Sequence, residues 1–529
     1  MKVPKLLPAP RLLPVRAGAV LLMIASAGDL AAKSWTFKGI PDPVEATFVA
    51  EKNGYVVLTG PNDKSFEIPL VNFSKADQEF IGLLAGDPAK KQPLIQPGKP
   101  VTRLRDYKSS KVETITGQLV KPGPASELHV TGSGDPLPGS SFNFIAADGW
   151  VFLDQIPPSV VAAKFLDRCL VNGVPAELDV NVRVVSHGAG AVIIPQGPDF
   201  PALTVFDGKS LGGKPKALKA YGKYGGDELD GVASFVLKRG YMATLAENED
   251  GTGGSVNYVA QDHDVVVNGL PGTLAGGVRF VRVFPWRWTS KKGIAGGIHQ
   301  PLHAGWFYDW NIGARSSLDL DYVAIRQKRD WPGLDQDWKE KGINHLLGFN
   351  EPDRPDQAKM SVDEAIKMWP VLLKTGLRVG SPATSDGGLG WLYEFIDKAD
   401  RAGLRVDFVA VHYYRAVADP GDEKAAAAQF RGYLQGIYDR VQRPIWITEW
   451  NNGANWTNAP DPNDRQQQAA IEAMIEMLDE TPFVERYAPY NWVEECRELV
   501  RKDGSLSPAG ELYRDHRAPV FYTQPKPGR

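Results

Sequence analysis

From Ala304 onward, apolar strand-like runs alternate with amphipathic helical stretches, and this alternation constrains the fold more than any other feature of the 529-residue chain. The strand candidates are Ala304–Trp310, Tyr322–Ile325, Ile343–Asn350, Arg378–Pro382, Val406–Tyr414, Ile445–Trp450 and Tyr487–Trp492. Helices are predicted between them. Ser361-Val362-Asp363-Glu364 forms a capping box, and Ala365, Ile366, Trp369, Leu372 and Leu373 follow at helical spacing until Gly376, with Pro370 expected to kink the run. Trp391, Leu392, Phe395, Ile396 and Ala399 form a second stripe, stopped by Gly403. Phe430, Tyr433, Leu434, Ile437, Tyr438 and Val441 make a third, and Ile471, Met474, Ile475 and Leu478 a fourth. Regular alternation predicts a parallel sheet with helices outside it. Its length, over residues 293–520, favours a (β/α)8 TIM-type barrel over an open sheet. An open doubly wound sheet would carry a Gly-rich phosphate loop after an early strand, and none is present. Seven strands are clear. An eighth is expected near Leu499 or, alternatively, ahead of the others near Gly293–His299.

The front half reads as small all-β domains behind a targeting segment. Residues 1–32 carry Lys2, Lys5, Arg11 and Arg16, an apolar run from Ala17 to Ala27, and Ala32 as a small residue suited to cleavage. That order is a signal peptide, and the run is shorter than the roughly 20 residues a membrane helix needs. An exported protein, extracellular or periplasmic, is expected, with a retained anchor as the alternative. Residues 34–85 read as short strands (Ala46–Val49, Tyr55–Leu58, Phe66–Leu70), with Asn53-Gly54 as a hairpin turn and Ser74 as the N-cap of a short closing helix. Residues 86–148 read as a linker and β-rich segment, and 149–288 as a β-rich domain that includes an alternating run over Leu178–Val184.

In a barrel of this kind, chemistry sits at the C-terminal ends of the strands. Two strands end in a carboxylate there: Gly348-Phe349-Asn350-Glu351 and Ile445-Trp446-Ile447-Thr448-Glu449. They stand three strands apart, facing one cavity, among aromatic residues. Twelve of the 14 tryptophans lie at or after Trp286. Paired carboxylates among sugar-stacking rings suit glycoside cleavage, one acid protonating the leaving oxygen and the other attacking the anomeric carbon or activating water. Trp310, Trp450 and Trp492, at strand ends, are the expected sugar platforms, whereas Trp369 and Trp391 belong to helix stripes. His299, His303, His345 and His412 lack zinc-helix spacing, and no Gly-x-Ser-x-Gly elbow occurs. No metal is expected at the site. A net charge of −3 gives no reason to expect nucleic acid, and two cysteines cannot build a disulfide framework.

Three resemblances add to this reading. Leu347–Asp353, Gly380-Ser381-Pro382-Ala383, Val411-His412-Tyr413-Tyr414 and Thr448-Glu449-Trp450 resemble, in order, the catalytic core of glycoside hydrolase family 128 over about residues 295–515. The resemblance implies a retaining β-1,3-glucanase with Glu351 as acid/base, Glu449 as nucleophile and Asn350 on the sugar 2-hydroxyl. His412, Tyr413 and Tyr414 would join the substrate site, although the family often has Trp where this chain has Tyr413. The wider clan carries its acids on the fourth and seventh strands; a first strand at Gly293–His299 would give that count here. The acid role is expected to need a raised Glu351 pKa, supplied by an apolar wall and the Glu449 charge. Trp35, the strands and Ser74–Ile81 resemble the Sla-one homology domain. Phe235–Leu237, Gly240–Leu245 and Glu249–Ser255 are similar to a βγ-crystallin Greek key. Some relatives of that last motif bind Ca²⁺, for which Glu249, Asp250 and Ser255 could offer ligands; a plain Asp-Gly hairpin turn is the preferred reading. The expected protein is a monomeric endo-glycosidase acting on β-glucan. The rivals are a non-catalytic carbohydrate-binding protein on the same barrel and a glycosidase for another β-glycan.

Overall fold

The computed structural model describes residues 33–81, apart from 39–41, 53, 62, 63, 76, 79 and 80, and residues 107–522. The expected signal segment and the first part of the linker lie outside them. The chain divides into two units, one ending at Pro88 and one beginning at Ala89.

The first unit is a four-stranded antiparallel sheet of Lys33–Trp35, Val44–Lys52, Tyr55–Thr59 and Ser65–Pro69, in chain order. Gly54, at φ +78°, turns the hairpin where Lys52 pairs with Tyr55. Trp35, Ala46, Phe48, Val56, Leu58, Phe73 and Ile81 form its core. The Ser74 hydroxyl accepts the Asp77 amide at 3.1 Å, the contact expected of an N-cap.

The second unit opens with four β-sheets. Lys108–Val112, Ser126–Val130, Gly149–Leu153, Gly190–Ile194 and Arg183–His187 form one mixed sheet, so the expected division at residue 148 cuts through a sheet. The alternating run Leu178–Val184 is mostly a turn: Asp179 has φ +60°, Val180 is exposed, and the strand begins only at Arg183. Alternation alone could not register that these residues have no neighbouring strand to pair with over most of the run. Residues 201–285 form two four-stranded antiparallel sheets around a shared core of Leu203, Phe235, Leu237, Leu245, Val281 and Val283.

The βα region follows, and all its strand pairings are parallel. Its strands are β1 (Gly293–Ala295), β2 (Trp306–Tyr308), β3 (Asp321–Tyr322 and Ala324–Ile325, interrupted at Val323) and β4 (His345–Leu347), then β5 (Arg378–Val379), β6 (Val409–Tyr413), β7 (Ile445–Trp450) and β8 (Val484–Pro489). The expected strand near Leu499 is absent among the described residues, where Val500 makes only an isolated antiparallel bridge; β1 is the additional strand. Gly293 is required in β1, because a Cβ there would lie 2.3 Å from the Trp306 ring. Three three-stranded sheets result, the first two sharing β3. Single parallel bridges join β5 to β6 (Gly380 to Phe408, Thr384 to Val411) and β1 to β8 (Lys292 to Tyr487).

The principal helices are α1 (Val362–Leu373), α2 (Leu389–Arg401), α3 (Glu423–Val441), α4 (Asp464–Glu480) and α5 (Pro508–Asp515). The Ser361 capping box forms as read, and α1 continues through Pro370 to Leu373. Strand residues divide between two cores. Ala295, Trp306, Tyr308, Val323, Ile325, Leu347, Ala383, Phe408, Ala410, Trp446 and Ala488 pack together, with each strand or the segment after it contributing. Ile294, Phe307, Leu346, Val409, Val411, Ile445 and Ile447, one position away, pack with the helices. That second core also takes in Trp150, Phe152, Met242, Phe284 and Trp286, so two of the four β-sheets share a core with the βα region. They meet it at strand N-termini: Asn344 Nδ2 donates to the Pro285 carbonyl at 2.7 Å, ahead of β4.

Candidate active site

The two carboxylates are brought together by backbone irregularities at two strand ends. Beyond β4, the Glu351 amide donates to the Ala383 carbonyl at 2.7 Å, and Glu351 itself has φ +41°, a left-handed conformation costly for a non-glycine residue. Between β6 and β7 the register shifts after Val411, which brings His412 opposite Glu449. Such a shift re-aims side chains. One oxygen of each carboxylate and one His412 ring nitrogen all lie within 4.8 Å of one another.

The two acids have different surroundings. Glu449 accepts three hydrogen bonds: from Tyr308 Oη at 3.0 Å and Trp310 Nε1 at 2.9 Å on Oε1, and from Tyr414 Oη at 2.6 Å on Oε2. Glu351 Oε1 accepts from His412 Nδ1 at 2.9 Å, while Arg354 Nε stands 3.5 Å from its Oε2. His412 Nδ1 is also 3.5 Å from Glu449 Oε2. Burial opposes a charge on Glu351, yet the His412 hydrogen bond and the charges of His412 and Arg354 hold its carboxyl below the usual range. The expected raised value is therefore corrected: the Glu351 carboxyl is lowered. Burial likewise opposes charge on His412, but Glu449 and Glu351 together raise it above 6.5. Tyr308 and Tyr414 are pushed well above 10.0 by burial and by the adjacent Glu449 charge, so they remain donors.

Of the other expected residues, Trp310, His412 and Tyr414 sit in this constellation. Asn350 lies beside it, with Nδ2 donating to Gln357 Oε1 at 3.4 Å and its buried Oδ1 without a partner. Trp492 is 47% exposed, its ring centroid 5.5 Å from that of Trp310. Its ring lies against Gly296, where a Cβ would come within 2.0 Å of it. Tyr413 and Trp450 are not at the site. Tyr413 stacks on Phe430 of α3 at 3.8 Å, and Trp450 is fully buried between Phe430 and Tyr487. Strand periodicity is the reason: neighbours of His412 and Glu449 along a strand point to the opposite face.

Tyr308, Arg354, Trp456 and Tyr490 belong to the site and were not singled out by sequence. The signal for Tyr308 was available, since it lies two residues before Trp310 within the same apolar strand-like run. Trp456 is 51% exposed in the loop after β7, its ring 4.9 Å from Tyr414 and 6.2 Å from Tyr490. Loop residues carry no periodicity, so only the tertiary structure brings it here.

The loop considered for Ca²⁺ has its carboxylates engaged elsewhere. Glu249 pairs with Arg279, while Asp250 accepts from Thr252 and lies 3.0 Å from Lys374 Nζ. Asp461, Glu494 and Cys496 also converge within 4.8 Å, around the Arg497 guanidinium, which pairs with both acids.

Residues 285–513 match the family described as glycosyl hydrolase catalytic core. A family 128 (subgroup I) endo-β-1,3-glucanase from Amycolatopsis mediterranei, solved in complex with laminaritriose, is 33% identical, covering 42% of this chain and 98% of that one, with TM-score 0.38. A subgroup II endo-β-1,3-glucanase from Sorangium cellulosum is 24% identical over 44% of this chain and 100% of that one, with TM-score 0.36. A subgroup VII oligosaccharide-binding protein from Trichoderma gamsii is 22% identical over 43% and 93%, with TM-score 0.35. No curated protein matches the chain. Residues 285–513 belong to the glycosyl hydrolase catalytic core family.

Proposed function

We propose that this chain, whose residues 285–513 form a glycosyl hydrolase catalytic core, is a retaining endo-glycosidase acting on β-1,3-glucan. The observation that carries the reading is the approach of the Glu351 and Glu449 oxygens to within 4.8 Å, with Glu449 held by three neutral donors. Glu449 is the nucleophile. Its oxygen bonds to the anomeric carbon as the glycosidic C–O bond breaks, while Glu351 gives a proton to the departing oxygen. Glu351 then takes a proton from water, which attacks the anomeric carbon and frees Glu449. The eight strands close as a (β/α)8 barrel in this reading. Support comes from the bridge between Lys292 and Tyr487 and from one apolar core drawn from every strand. Acids on the fourth and seventh strands of such a barrel share its C-terminal mouth. Trp310, Trp456, Tyr490 and Trp492 offer faces and edges for sugar rings beside the pair. The N-terminal segment directs export to the periplasm or the exterior, and the β-domains hold a monomeric enzyme near polysaccharide.

The test is release of oligosaccharides from laminarin by the wild type, Glu351→Gln and Glu449→Gln. Products from the wild type, with losses of orders of magnitude in both variants, support the reading. A folded wild type that binds laminarin without cleaving it points instead to an oligosaccharide-binding protein.

A further inference from the structure

His412, expected only as a substrate contact, stands between the two carboxylates. It is fully buried, its Nδ1 lies 2.9 Å from Glu351 Oε1 and 3.5 Å from Glu449 Oε2, and its Nε2 has no hydrogen-bond partner. Its backbone is fixed from two sides. The His412 amide donates to the Thr384 carbonyl at 3.2 Å, and the His412 carbonyl accepts from Tyr433 Oη at 3.2 Å. The backbone that carries the ring is therefore held in β6, and the ring itself is enclosed. Two buried carboxylates this close cannot both stay ionised without a compensating positive charge or a proton. The charged and titratable groups around the ring are Glu351, Glu449, Asp353 and Arg354, with Tyr308, Tyr414 and Tyr490 lining the same cavity. Arg354 lies on the outer side of Glu351, so His412 is the group placed to bridge the pair.

We propose that His412 is a positioning residue that stores, between the two carboxylates, the proton Glu351 needs as acid. This rests on the glycosidase reading above. Before sugar binds, the proton is on His412 Nδ1. When a sugar fills the cavity, the Nδ1–H bond breaks and an Oε1–H bond forms on Glu351, leaving the ring neutral with its remaining proton on Nε2. Glu351 passes that proton to the leaving oxygen. The proton taken from water in the second half-reaction restores the store. No other group changes its proton count over the cycle.

Two measurements test this. The first needs no activity: the His412 ring is titrated by NMR in the wild type, Glu351→Gln and Glu449→Gln. The expected result is a midpoint above that of an ordinary histidine in the wild type, moving down by about one pH unit or more in each variant. A wild-type midpoint at or below 6.5 overturns the proposal, whether or not laminarin is cleaved. A high midpoint without cleavage leaves the proton store standing and removes the glycosidase reading. The second is the pH profile of kcat/KM for His412→Asn, which keeps a neutral donor toward Glu351 but cannot carry charge. Its basic limb is expected to fall by about one pH unit or more, with kcat lowered about tenfold and KM near the wild-type value. An unchanged basic limb in this variant overturns the proposal. If His412→Asn does not fold, the ring titration decides.

Discussion

The two ends of the parallel strands bury similar groups and use them differently. At the N-terminal end, charges are matched with opposite charges. Arg378 donates to both oxygens of Glu485 at 2.6 and 2.8 Å, Arg486 lies 2.9 Å from Asp321, and Arg405 pairs with Asp407. Lys291 gives its ammonium to the carbonyls of Leu478, Asp479 and Thr481, and Lys292 to those of Tyr513, Arg514 and His516. The two lysines thereby place positive charge at the C-terminal ends of α4 and α5. At the C-terminal end, Glu449 accepts from neutral hydroxyl and indole donors, and His412 stands between it and Glu351. Asn350 Oδ1 and His412 Nε2 are left without partners. In the Arg378–Glu485 pair one guanidinium engages both carboxylate oxygens, whereas carboxylates held by neutral donors keep the capacity to exchange a proton or form a bond.

The contrast can be broken most sharply by Glu449→Gln. Activity on laminarin is expected to fall at least on the order of 10³-fold, while the thermal midpoint changes little. Glu485→Gln at the opposite end should do the reverse. Leaving Arg378 buried without its carboxylate should cost about 3–5 kcal/mol in a denaturant titration, with kcat of the folded fraction preserved. Trp450→Ala and Trp456→Ala sharpen the same comparison within one strand and its loop. The buried Trp450 should cost about 3–5 kcal/mol of stability. The exposed Trp456 should leave stability intact and raise KM for laminarin about 3–10-fold.

The smallest effect is a pH-dependent share of stability at the acid pair. Glu351 is held below 4.5, so its contribution is present above pH 4.5 and is lost as pH falls through its folded value. His412 is raised above 6.5, so its contribution is present below pH 6.5 and is lost as pH rises through its folded value. The pair is therefore fully expressed between about pH 4.5 and 6.5. The thermal-midpoint difference between wild type and Glu351→Gln should be most favourable to wild type in that window and should shrink on either side. A difference constant from pH 3 to 9, by scanning calorimetry, would remove this coupling.

Which features were legible follows from how locally each is encoded. The helices α1 to α4, the Ser361 capping box and strands β2 to β8 carry their periodicity within a few residues, and both glutamates end apolar runs. β1 was nearly hidden: it follows Ser290-Lys291-Lys292, a sequence that reads as a solvated loop until two helix ends accept the ammonium groups. The platform role expected for Trp450 failed because position at a strand end does not say which face a side chain takes. Tyr413 failed for the same reason, and Trp456 lay in a loop without a pattern.

The sequence alone determined the βα order, the small β-sheets ahead of it, and the two acids with their three-strand interval, because periodicity and strand-end position are local properties. Tertiary structure decided which aromatics face the acids, the descent of the Glu351 carboxyl below its ordinary range, and the bridging position of His412. Those depend on register between strands and on burial, which bring residues 61 positions apart into a 2.9 Å contact and let one buried charge set the state of another.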